Sequence, residues 1–154
     1  MSHARNTIRS AIAAILSAAP SNWSSVSESR IQSQRQIWPY VMVFVEADVS
    51  DALLIHPTNI YERKLSISIV GLLRLPGSGD TYTIEDKMDD LAAEVETKLT
   101  RASLKVVVPK IQTLSLESTT MNVVIEPDGT DHGEVHMVWE ATYANAEGSP
   151  SVLI

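Results

Sequence analysis

The stretch YERKLSISIVGLL, Tyr61 to Leu73, decides the fold class because its apolar and polar residues alternate. Residues two apart in an extended chain point to the same side, so each face of this segment has its own character. The aliphatic face is formed by Leu65, Ile67 and Ile69. The polar face is formed by Lys64, Ser66 and Ser68. The pattern predicts a half-buried antiparallel strand, with one face on the core and the other on water or a neighbour.

The segment before this strand has a different pattern. In WPYVMVFVEAD, Trp38 to Asp48, the residues 40–45 are all apolar. An unbroken apolar run of this length predicts a central strand that is covered on both faces. We expect a loop from Asp48 to Asn59 to join the two strands.

Two segments predict helices. Between Ala4 and Ala19 the apolar residues recur at steps of three and four, the spacing of one helical face. The same spacing runs from Ile84 to Leu99, where Thr83 is placed to cap the helix and acidic residues fill the first turn. Residues 21–37 are rich in serine and glutamine and predict a long loop or arm.

The remaining segments complete the sheet. Strand patterns occupy 106–108, 111–116 and 120–125, with Pro109 indicating an edge or a bulge, and the last strand runs from Glu134 to Tyr143. We therefore predict a single α+β domain over residues 1–143 and a C-terminal tail over 144–154. Its sheet has four to five strands, mostly antiparallel or mixed, and two main helices pack on it.

Composition excludes several kinds of chemistry. The chain of 154 residues has no cysteine, which rules out disulfides, thiolate zinc sites and thiol nucleophiles. No apolar run approaches the ~18 residues that cross a bilayer, so we expect no membrane partner. The net charge is −7, although the first 40 residues carry four arginines and one glutamate. Such an acidic body repels a phosphate backbone, and we expect DNA at most as a passing cargo.

The segment PDGTDHGEVHMVWE, Pro127 to Glu140, contains two aspartates, two glutamates and two histidines. Glu134 and His136 share a strand face, so a metal site with His132 is conceivable. However, Pro-Asp-Gly at 127–129 is typical of a turn, and the segment lacks the helical two-histidine spacing of metal enzymes. The solvated hairpin is the favoured interpretation. A small metal-dependent enzyme that uses residues 128–136 is the alternative.

No other motif predicts catalysis. GLLRLPGSGD, residues 71–80, has neither the glycine order nor the lysine of a phosphate-binding loop, and no serine lies in a nucleophile elbow. We therefore predict no catalytic residue, no cofactor and no resident metal. Trp23 and Trp38 flank an arm that contains Arg30 and Arg35. Tryptophan and arginine concentrate binding energy at interfaces, although tryptophans here would equally well pin a loop to the core.

The order of the elements points to a family. The alternation of Tyr61, Arg63, Leu65 and Ile67 is followed by the helix that contains Asp89 to Glu96. Together with the N-terminal helix, the variable loop and the late strand VHMVWEATY, the layout from about Ile8 to Tyr143 resembles the tail terminator proteins of long-tailed bacteriophages.

The resemblance implies a small α/β subunit without catalytic activity that closes into a homohexameric ring. The ring caps the head-proximal end of the tail tube, stops its polymerisation and offers its other face to the head-tail connector or neck protein. The protein would be assembled in the bacterial host cytoplasm and reside in the virion at the tail-neck junction. Another neck or head-completion protein and a monomeric ligand-binding domain are further alternatives.

Two residue sets are predicted to serve this role. Candidate interface residues are Trp23, Arg30, Arg35, Trp38, Tyr61 and Arg63. Because DNA must pass through such a ring without sticking, part of the acidic surface is expected to face the channel. The candidates for that surface are Glu46, Asp48, Asp51, Glu85, Asp86, Asp89 and Asp90.

Overall fold

Five strands and three helices are present in the described part of the chain, which in this computed structural model is residues 3–30, 38–54, 59–75, 83–125, 127 and 130–154. The helices are α1 (Ala4–Ser17), α2 (Ile84–Lys98) and α3 (Arg101–Val107). The strands are β1 (Ser25–Ser27), β2 (Tyr40–Leu54), β3 (Ile60–Leu75), β4 (Thr113–Ile125) and β5 (Asp131–Ala146).

All five strands form one sheet in the order β1-β2-β3-β5-β4. β1 runs parallel to β2, and every other neighbouring pair is antiparallel, so the sheet is mixed. The predicted α+β class with a sheet of four to five strands is confirmed. β3, the strand with the alternating pattern, is the central one. Among the described strands, β2 has neighbours on both sides only over Tyr40–Met42, so its apolar run reflects burial of both faces and not a central position.

The three helices pack on one face of the sheet and enclose the main core with it. Two glycines let α2 approach closely. A Cβ on Gly71 would lie 2.6 Å from Leu91 Cδ2, and one on Gly133 would lie 2.9 Å from Met88 Sδ. Because both distances are shorter than real contacts allow, a larger residue at either position would require the Leu91 or Met88 side chain to shift.

Local chemistry fixes where the helices begin. The predicted cap of α2 is confirmed: Thr83 Oγ1 accepts a hydrogen bond from the Asp86 amide at 3.3 Å, and Asp86 Oδ2 accepts one from the Thr83 amide at 2.9 Å. This reciprocal box satisfies two amides that have no partner inside the helix. At α1 the cap is His3, whose Nδ1 accepts from the Arg5 amide at 3.2 Å.

Several predicted boundaries are wrong. The expected loop from Asp48 continues as strand to Leu54, because its residues pair with β3 as far as Ile60. Residues 106 and 107 belong to α3, and Val108 is its C-cap. The sequence contained a signal for this helix: Thr100 and Ser103 form a second capping box. The two strands expected at 111–116 and 120–125 are one, with a bulge between Leu116 and Ser118.

The predicted arm and tail are also partly ordered elements. Residues 25–27 of the expected 21–37 loop form β1, while 31–37 lie outside the described residues. β5 continues to Ala146, so the strand extends beyond the domain limit predicted at Tyr143. The final residue returns to the sheet, where the Ile154 amide donates to the Ala144 carbonyl at 2.9 Å.

The second face of the sheet is covered by none of the three described helices, and we refer to it as the helix-free face. At one end of it a smaller apolar cluster forms from Trp38, Tyr40, Met42, Phe44, Val70 and Leu72. Alternation along the strands places Ser68, His136 and Glu140 on the same side. No described helix is long and apolar enough to span a membrane.

Candidate functional site

The aromatic end of the helix-free face is built around Trp38. Its ring meets Tyr40 edge-on, with centroids 5.1 Å apart, and His132 at 5.6 Å. A hollow of about 220 Å³ opens beside these rings, with Glu134 and Asn122 on its wall. Trp38 is half-buried on a mixed aromatic and polar surface, and its role at an interface stays a prediction.

A chain of hydrogen bonds crosses the middle of the same face. Ser68 Oγ donates to Glu46 Oε1 at 3.0 Å, and His136 Nε2 lies 2.9 Å from Ser68 Oγ. Because the hydroxyl proton of Ser68 points to Glu46, the ring of His136 must donate. Glu46 reaches the serine because alternation along β2 places it on the same face as Tyr40, Met42 and Phe44. Ser68 is fully buried, so this arrangement links three strands and does not present a nucleophile.

On the helix side, Asp48 lies between two arginines. Its carboxylate is 7% exposed and is 3.7 Å from Arg63 Nη1 and 3.9 Å from Arg5 Nη1. Arg63 Nε also donates to Asn145 Oδ1 at 3.0 Å, which holds the guanidinium in place. The cluster therefore joins α1, β2 and β3 through two ion pairs and adds β5 through a hydrogen bond.

Two neighbours of Asp48 have shifted pKa values. Burial, and then the negative charge of Asp48, raise the pKa of Tyr143 to about 12. Burial, and then the positive charge of Arg5, lower the pKa of His3. Neutral His3 is the form that can accept the capping hydrogen bond of α1, so the lowered pKa and the cap favour the same protonation state.

The predicted acidic residues lie in different layers. Glu46 and Asp51 project from the helix-free face, whereas Asp48 is on the helix side and nearly buried. The acidic residues of α2 are exposed on the outer side of the helix layer: Glu85, Asp86, Asp89 and Asp90. Because the sheet separates the two groups, one channel wall cannot contain both.

The predicted interface residues also differ in their surroundings. Trp23 is buried, its Nε1 donates to the Leu16 carbonyl at 2.8 Å, and Lys98 Nζ lies 4.9 Å from its ring. Of the two roles considered for Trp23, the structure therefore supports pinning the chain to the core. Tyr61 and Arg63 lie side by side, with the guanidinium 5.9 Å from the ring. Arg35 lies outside the described residues.

The alternative metal site has no geometric support. His132 packs on Trp38, and His136 is engaged with Ser68. Within the ranges that the structure describes, no three histidine, aspartate or glutamate side chains come together as metal ligands. Asp128, part of the predicted cluster, lies outside those ranges.

Both edges of the sheet are open in the described structure. β1 pairs with β2 only at Tyr40–Met42, so residues 43–54 have no described strand on their outer side. β4 pairs with β5 alone. The exposed large apolar side chains concentrate on these edge strands and on the neighbouring α3: Val49, Leu53, Val106, Val107, Met121, Val123 and Val124.

A groove of about 580 Å³ runs along the open part of β2. Residues 44–48 of the strand form one wall, and the first turns of α1 together with residues 28–30 form the other. Arg9 Nε pairs with Glu28 Oε1 at 3.3 Å. Arg30 donates to the Val45 carbonyl at 2.5 Å and lies 5.0 Å from the Phe44 ring, with no carboxylate partner among the described residues.

Comparison with solved structures finds chains that are similar to this one. A chain from the "Virion of native gene transfer agent (GTA) particle" matches with a TM-score of 0.40 and 10% sequence identity, covering 91% of this chain and 95% of that one. No protein-family model matches the chain. No curated protein matches it either.

Sequence reasoning missed the groove and the two side-chain networks. The Glu46–Ser68–His136 chain depends on the register of three strands, which alternation alone does not reveal. The Asp48 cluster joins residues that are far apart in the chain. The available signal for this cluster was Arg5, a basic residue in the first turn of α1. A positive charge there is unfavourable next to the positive end of the helix dipole, so a nearby carboxylate is expected to compensate it.

Proposed function

We propose that this chain is the tail terminator subunit of a long-tailed bacteriophage or a related particle. In this role it forms a homohexameric ring on the head-proximal end of the tail tube, stops tube growth and provides the joint to the head connector. The resemblance in the order of its elements suggested the role, and the geometry of the sheet supports it.

The observation that carries the proposal is the pair of open edges. A ring needs two different, mutually complementary surfaces on each subunit, because head-to-tail contacts close a circle when each copy receives what it presents. In the described part of the chain the sheet has an open strand edge on each side, and exposed apolar side chains collect on these edge strands and on α3. Such edges are normally protected in proteins that remain monomeric.

The helix-free face suits a bore through which DNA passes. On β2, β3 and β5 its carboxylates outnumber its lysines and arginines: Glu46, Asp51, Glu62, Glu134 and Glu140 against Lys64 and Arg74. An acidic wall avoids the counterion-releasing contacts that would hold DNA. We therefore assign the bore to this face and the acidic residues of α2 to the outside of the ring.

Deletion of the gene, followed by electron microscopy of the lysate, tests the proposal. We expect overlong tails without heads, and restoration of normal particles when the gene is supplied from a plasmid. Purified protein should bind to the ends of tail tubes in vitro.

Tails of normal length in the deletion strain would refute the terminator role. Binding to empty heads without binding to tubes would instead assign the chain to another neck or head-completion position.

A further inference from the structure

We propose that the ring is built by strand pairing between copies: β4 of one subunit docks in the groove along residues 43–49 of β2 of the next. This inference rests on the proposed function, since it specifies how the subunits of that ring meet. The occupant of the groove is thus a second copy of this chain.

The register of the sheet places the two edges at the same height. Val45 pairs with Ile67, Ile67 pairs with Trp139, and Trp139 pairs with Leu116. Val49 is likewise at the same height as Thr113, because Val49 pairs with Lys64, Lys64 with Thr142 and Thr142 with Thr113. Copies related by rotation about an axis parallel to the strands therefore bring residues 113–119 of β4 alongside residues 43–49 of β2.

The strand directions are also suitable. β2 and β4 are separated by three antiparallel pairings, so they run in opposite directions within one subunit. The same rotation then sets β4 antiparallel to β2 of the neighbouring copy. An antiparallel pair of this kind satisfies the unpaired amides and carbonyls of both edges, as in other strand additions to an open sheet.

Charge favours this pair of edges. Glu117 is the only charged residue of β4, it is exposed, and the bulge places it next to Leu116. The docked strand would bring Glu117 to the level of Val45, where Arg30 lies without a carboxylate partner among the described residues. Arg30 now covers the Val45 carbonyl, so docking would exchange that hydrogen bond for one to the incoming strand and pair the guanidinium with Glu117.

Thiol crosslinking tests the contact directly, since the natural chain has no cysteine. Ala47 and Ser115 are exposed and level with each other through Ser66 and Glu140. We expect a short bifunctional maleimide to join Ala47→Cys to Ser115→Cys when the two variants are mixed. Neither single variant should crosslink to itself, and the double variant should give a ladder of multimers.

A charge exchange gives a second test. Arg30→Glu and Glu117→Arg should each weaken self-association about tenfold, and the combined variant should recover most of that loss. Asp90→Arg, an exposed change of the same charge on α2, is the matched control and should have no effect.

The outcomes separate this inference from the proposed function. Crosslinking of Ser115→Cys to itself would overturn the inference in favour of a twofold β4 contact. Persistent oligomers without any crosslink between positions 47 and 115 would overturn it while leaving the terminator role intact. If the natural chain neither oligomerises nor binds tube ends, both fail.

Discussion

At the scale of single residues, the Asp48 cluster is the least predictable feature of the molecule. The sequence placed Asp48 in a loop and on a channel wall, because an isolated aspartate after an apolar run is usually exposed. The structure pairs it with Arg5 and Arg63, which come from two other elements. Only the tertiary arrangement brings these charges together, so the one local signal, Arg5 in the first turn of α1, could not identify its partner.

Replacing Asp48 with asparagine should lower the free energy of unfolding by about 2 kcal/mol, because two arginines would face each other without the carboxylate between them. Urea denaturation monitored by tryptophan fluorescence measures the change. Asp51→Asn is the control, since Asp51 is exposed and its replacement should change stability by less than about 0.5 kcal/mol. Equal effects of both substitutions would show that the cluster does not stabilise the fold.

The free energy of unfolding should depend on pH through Tyr143, and the sign of this dependence follows from the raised pKa of Tyr143, about 12. The unfolded chain releases the phenol proton near pH ~10, before the folded chain does, so stability is lost as the pH rises through this interval. By pH ~11 the natural protein should lose about 1 kcal/mol more than Tyr143→Phe. Urea denaturation of both proteins between pH ~9 and ~11 compares them, and parallel curves would contradict the prediction.

At the scale of elements, the helices and strands with strong apolar periodicity were predictable from the sequence, and the irregular segments were not. β3, α1 and α2 follow directly from their apolar spacing, and Thr83 correctly predicted the start of α2. The second half of β2 lacks alternation because one of its sides is open and a bulge interrupts it. α3 has seven residues, too few to show a periodic pattern of apolar residues, and its capping box was the sequence signal that indicated it.

The close approach of α2 to the sheet depends on Gly71. Gly71→Ala should lower the free energy of unfolding by about 1–3 kcal/mol, because the new methyl would overlap Leu91. In the double variant Gly71→Ala with Leu91→Ala, the loss should be smaller than the sum of the two single losses. Additive losses in urea denaturation would show that the two positions do not compete for space.

At the scale of the whole molecule, the layering of acidic residues yields a prediction about DNA. If the helix-free face forms the bore, Glu134→Lys with Glu140→Lys should slow DNA release from assembled particles, because lysines attract the phosphate backbone. Asp89→Lys with Asp90→Lys on α2 is the control and should leave release unchanged. DNA ejection followed by a fluorescent dye measures both, and the opposite pattern would place α2 at the bore.

The length of the strands has one more consequence. β3 and β5 have 16 residues each, which at ~3.3 Å per residue gives a sheet roughly 50 Å long. With the ring axis parallel to the strands, this length is also the height of the ring, roughly 50 Å. The length of the strands would thus set the height of the ring along its axis, and side views of isolated rings should show this height.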